Sequence, residues 1–125
     1  MKNKTNYHTH SNFSDGSAEP EEYIKEAIRQ GFSSLGFSEH SVLPFENTFA
    51  LQPGTESAYI AEIRRLQQVY QGQVQILLAL EADYIPGVSA GFAGLKASFG
   101  LDYIIGSVHL VKNNHNDILW FIDGP

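Results

Sequence analysis

The sequence predicts an α/β fold with parallel strands, and three observations carry that expectation. Strand-like and helix-like patterns alternate along the 125 residues. The most apolar stretch, Ile76 to Leu80, is continuously hydrophobic, as in a strand covered on both faces. No internal repeat or low-complexity segment interrupts the order. The length suits one domain, residues 1–125, and is too short for two.

The first strand is expected at about residues 5–10, after which Ser14-Asp15-Gly16 supplies a turn triplet. A helix opens near Ser17. Pro20 fits its first turn, Glu19, Glu21 and Glu22 complement its dipole, and Gly31 ends it. Tyr23, Ile24, Ala27 and Ile28 give it one apolar stripe. Residues 32–38 read as the second strand, with Glu39-His40 at its carboxyl end and a loop broken by Pro44 and Pro53 behind it. Ile60, Ile63, Leu66 and Tyr70 recur at helical spacing over about 57–71, and Gly72 is the stop. The third strand, 74–80, runs into Glu81. A weaker helix follows at about 88–99, interrupted by the small residues Ala90, Gly91 and Gly94, and a fourth strand at 101–108 runs into His109. Past the polar loop 112–116, residues 118–122 have the pattern to start a fifth strand.

Composition narrows the function. Apolar residues at 42% with eight Phe and six Tyr describe a globular chain, not a disordered one. A net charge of −6, with three Arg and five Lys scattered, leaves no basic stripe, so no nucleic-acid partner is expected. No segment is apolar and long enough to cross a bilayer or act as a signal sequence, so no membrane partner is expected and the location is read as cytoplasmic. Cysteine is absent, which excludes disulfides and thiolate metal sites.

The chemistry lies where the strands end. His8 and His10 fall on the first strand, His40 on the second, Glu81 on the third and His109 on the fourth. In a parallel α/β barrel the carboxyl ends of the strands open onto one face, so these residues are expected to converge. Residues two apart on a strand share a face, which lets both imidazoles of His8-Thr9-His10 grip one ion. Imidazoles mixed with carboxylates suit zinc, manganese or iron. Each residue has a plainer reading. Asp15 alone is a turn residue, a lone strand-end histidine is usually an ordinary polar side chain, and His115 sits in a solvated loop. Glu39, pointing opposite to His40 by strand alternation, reads as structural. The recurrence at every strand terminus is what favours the site.

His8-Thr9-His10, Ser14-Asp15-Gly16, Glu39-His40, Leu80-Glu81-Ala82-Asp83-Tyr84 and Gly106-Ser107-Val108-His109 together resemble the successive motifs of the polymerase-and-histidinol-phosphatase (PHP) superfamily. Residues 38–44 and the Tyr84-Ile85-Pro86-Gly87 segment are most similar to its histidinol-phosphatases. The resemblance implies a partial (β/α)7-type distorted TIM-like barrel with about four β/α units present. It implies up to three divalent ions (zinc, manganese or iron) in the complete site: one on His8, His10 and Glu81, a second on Glu81 and His109, a third on Asp15 and His40. The implied substrate is a small-molecule phosphate monoester, L-histidinol phosphate in histidine biosynthesis, with Asp15 as a catalytic candidate for proton transfer. Residues that bind the substrate itself are not identified. Two further readings stand beside it: a PHP phosphoesterase acting on nucleotides or DNA ends, and an inactive metal-binding fragment. The family's last ligands have no counterpart here, so the chain is expected to be the N-terminal portion of a longer barrel, poorly active alone, with self-association possible if truncated.

Overall fold

A computed structural model describes residues 4–43, 45–83, 92–108, 110–112 and 119–121. Four strands, β1 (Lys4–Thr9), β2 (Phe32–His40), β3 (Gln75–Asp83) and β4 (Tyr103–Ser107), form one parallel sheet in the order β1-β2-β3-β4. Helices α1 (Pro20–Arg29), α2 (Glu56–Val69) and α3 (Phe92–Phe99) make the crossovers. This is the α/β architecture expected of consecutive β/α units. The strands curl into an open half-barrel: the Tyr103 hydroxyl on β4 donates to the Tyr7 carbonyl on β1 at 2.5 Å, spanning the two strands between them. A flat sheet, with strands about 4.8 Å apart, would hold those groups out of a tyrosine's reach.

The helices cover the outer face. Ile24 and Ala27 of α1 and Tyr59, Ile63 and Leu66 of α2 pack with Leu35, Phe37, Ile76, Leu78 and Leu80 in one core. These strand positions alternate, so the residues between them, Gly36, Ser38 and His40 on β2 and Ala79, Glu81 and Asp83 on β3, lie on the inner face. Tyr59 is fully buried, and its hydroxyl lies 2.9 Å from the Phe37 carbonyl and 2.6 Å from that of Ala79, tying α2 to both central strands. Burial pushes its pKa far up, so the proton stays available to donate. Tyr59→Phe keeps the ring and deletes that bond. An unfolding free energy lower by about 1 kcal/mol is expected in urea titration.

Element boundaries shift where burial overrides local polarity. α1 begins at Pro20 rather than near Ser17, because Asn12 N–H pairs with the Ala18 carbonyl and keeps that segment in the loop. β2 runs on through His40 and β3 through Asp83, past Glu81, because their polar ends are buried and the Ser107 hydroxyl donates to Asp83 at 2.6 Å. The residues expected to start a fifth strand do not extend the parallel sheet in the described residues: β6 (Leu119–Phe121) pairs antiparallel with β5 (Leu110–Lys112) in a separate two-stranded sheet. The connection between them, residues 113–118, is shorter than the roughly dozen residues that a parallel crossover needs, so the two strands pair antiparallel.

Candidate metal centre

His8 near the end of β1, His10 just beyond it, His40 at the end of β2 and Glu81 on β3 converge at the carboxyl edge of the sheet, and the loop after β1 brings Asp15 to join them. The β2–β3 register pairs His40 with Glu81, placing both on the inner face at the same height. His109 and His115 lie outside the described residues.

Glu81 is the centre of the arrangement. It is 3% exposed, its Oε1 bonds to His8 Nε2 and lies 3.0 Å from His10 Nε2, and its Oε2 is 3.6 Å from His40 Nδ1. Burial pushes its pKa up, but the His8 hydrogen bond and the charges of His40, His8 and His10 together push harder the other way, leaving the carboxyl below its usual range. Asp15 serves the other side, with Oδ1 2.7 Å from His10 Nδ1 and Oδ2 3.0 Å from His40 Nε2. Two donor sets result, His8–His10–Glu81 and His10–Asp15–His40, each with its ligand atoms within 4.8 Å of one another.

This donor chemistry fits a divalent ion. A carboxylate buried among imidazoles is costly unless a cation or protonated histidine balances it, and nitrogen-plus-oxygen donors suit borderline metals. His10 stands in both sets, yet a neutral imidazole has one lone pair to give. If Nε2 held an ion beside Glu81, the Nδ1–H would donate to Asp15 at 2.7 Å, the carboxylate–histidine–metal arrangement that fixes a ligand's tautomer and ring orientation. Asp15→Asn is accordingly expected to weaken zinc binding by roughly 10- to 100-fold, measured by chelator competition.

Glu39, read from the sequence as structural, points away from the cluster. Its carboxylate is fully buried and accepts from Ser11 N–H (2.8 and 2.9 Å), Ser11 Oγ (2.5 Å) and Ser14 Oγ (2.6 Å), fastening the loop that presents Asp15. Burial raises its pKa while the Ser11 and Ser14 bonds oppose the rise. Sequence reasoning left Ser11 unremarked and gave Ser14 and Asp83 no role beyond their motifs, although Asp83 shares the inner face with Glu81 and is 4% exposed. Alternation along Glu81-Ala82-Asp83 was the signal that marks it.

Comparison with known proteins points the same way. Residues 6–121 match the PHP domain family. The chain is 33% identical over 108 residues to the probable histidinol-phosphatase of Deinococcus radiodurans, covering 85% of this chain and 39% of that protein. It is 38% identical over 103 residues to the probable histidinol-phosphatase of Schizosaccharomyces pombe, covering 74% and 34%. A crystal structure of a putative histidinol phosphatase from Listeria monocytogenes superposes with a TM-score of 0.79 at 19% identity, over 98% of this chain and 50% of that one. That of the Lactococcus lactis histidinol phosphate phosphatase, complexed with zinc, L-histidinol and phosphate, gives 0.63 at 32% identity, over 85% and 40%. The chain thus spans half or less of each of these relatives.

Proposed function

The chain belongs to the PHP domain family, and from that premise we propose that it provides the N-terminal metal-binding portion of a phosphomonoesterase acting on L-histidinol phosphate. The observation that carries the proposal is the meeting of His8, His10, Asp15, His40 and Glu81 at one sheet edge, in a chain 32% identical to a relative crystallised with zinc, L-histidinol and phosphate. Bound divalent ions, zinc, manganese or iron, would neutralise the phosphate dianion and activate water at neutral pH. His8, His10 and Glu81 hold the first ion and Asp15 with His40 a further one. His109 is proposed as an additional ligand. Asp15 is assigned the proton transfer at the reacting oxygen, a reading supported by its 39% exposure and its position between two imidazoles.

A phosphate also needs cations on its non-bridging oxygens. The three arginines are engaged elsewhere: Arg29 bonds Glu26, Arg64 donates to the Gly100 carbonyl at 2.6 Å, and Arg65 pairs with Glu62. The 125-residue chain by itself is therefore expected to turn over L-histidinol phosphate at least about 100-fold more slowly than the Lactococcus lactis histidinol phosphate phosphatase assayed beside it with manganese or zinc. Phosphate release from L-histidinol phosphate, from nucleoside monophosphates and from phosphorylated DNA ends tests the substrate. Preference for either nucleic-acid substrate, or release indifferent to metal, would overturn the reading.

A further inference from the structure

The β1–β2 register pairs Asn6 with Leu35 and Thr9 with Phe37, so Tyr7 and His8 together stand opposite the single residue Gly36. That is a β-bulge, a device that re-aims a side chain beside a functional site and takes the local backbone out of the regular ladder. The peptide inside the bulge, joining Tyr7 to His8, carries the imidazole that meets Glu81. Side chains hold both its polar ends. Its N–H, from His8, donates to Asn6 Oδ1 at 2.9 Å, and its carbonyl, from Tyr7, accepts from the Tyr103 hydroxyl at 2.5 Å.

Gly36 makes the second bond possible. A Cβ there would collide with the Tyr103 hydroxyl and press on the Tyr7 Cα. The Tyr103 ring also meets that of Tyr7 edge-on at 6.0 Å. Burial, with the neighbouring Tyr7 and Asp102, pushes the Tyr103 pKa to about 12, so the hydroxyl keeps the proton it donates.

We propose that Asn6 and Tyr103 are positioning residues for His8, clamping the Tyr7–His8 peptide from both sides so that Nε2 is aimed at the ion shared with His10 and Glu81. The inference rests on the metal reading above and reaches two residues that touch no ligand atom of the cluster. Barrel closure alone is the competing role for Tyr103, since its bond joins β4 to β1, but Asn6 and His8 belong to the same strand and close nothing.

The test uses the 125-residue chain with Tyr103→Phe, Asn6→Ala and Asn6→Asp. Zinc dissociation constants come from chelator competition, melting temperatures from the metal-free protein, and exchange of the His8 amide proton from NMR. Tyr103→Phe and Asn6→Ala are each expected to raise the zinc dissociation constant about 10-fold or more. Asn6→Asp, which keeps an acceptor oxygen, restores it. The His8 amide is protected in the parent, loses protection in Asn6→Ala and exchanges faster in Tyr103→Phe. Parental affinity in both Asn6→Ala and Tyr103→Phe overturns the proposal, as does an affinity loss confined to Tyr103→Phe and matched by its fall in melting temperature. A parent that binds no zinc defeats the metal reading, and the exchange rates then decide the clamp: an unprotected His8 amide in the parent overturns it.

Discussion

Glu81→Ala is expected to lower zinc affinity by more than about 100-fold, beyond what the loss of an outer partner costs, while leaving the fold in place. Its carboxylate faces the imidazoles of His8, His10 and His40, so removing it takes away an anion that would balance a cation there. The apolar residues around it on β3, Leu78 and Leu80, belong to the core behind the sheet and lose nothing. Zinc titration by calorimetry, with circular dichroism as the check on folding, measures the effect. Undiminished zinc binding by a folded Glu81→Ala chain would remove Glu81 from the centre.

Glu39→Ala is expected to act on stability first. The side chain satisfies one backbone N–H and two hydroxyls inside the protein, and each buried donor left without a partner costs about 1–3 kcal/mol. A total loss of about 3 kcal/mol is expected in urea unfolding, large against the usual stability of about 5–15 kcal/mol. The loop from Ser11 to Gly16 loosens with it, so zinc affinity falls as well through Asp15. A loss below about 1 kcal/mol would mean that water takes over the orphaned donors.

What could be read beforehand, and what could not, divides by the range of the interaction. α1 was legible because Pro20, the acidic first turn and the Ile24–Ala27 stripe are all local signals, and the structure buries Pro20, Ile24 and Ala27. The β3 core strand was legible from its unbroken apolar run, yet its end was misplaced at Glu81, since nothing local says that Ser107 waits to receive Asp83. The convergence of His8, His10 and His40 on Glu81 could be anticipated from topology, while His109 lies outside the described residues. The bulge at Tyr7 and His8 could not, because an unmatched residue leaves no mark on a six-residue strand whose first five residues are exposed. Nor could the pairing of Tyr103 with Tyr7, which lie 96 residues apart, or the reason Gly36 carries no side chain.

Strand order in the sheet equals order along the chain, and this bears on how the molecule is made. Each β/α unit finds its neighbour already synthesised, so the sheet can lengthen strand by strand as the polypeptide leaves the ribosome, amino end first. His8, His10 and Asp15 emerge early, His40 next, and Glu81 only with the third strand. Until that strand docks, the nascent chain presents imidazoles without their buried carboxylate. The His8–His10–Glu81 set is therefore complete only after three strands stand side by side, whereas the His10–Asp15–His40 set needs only the first two.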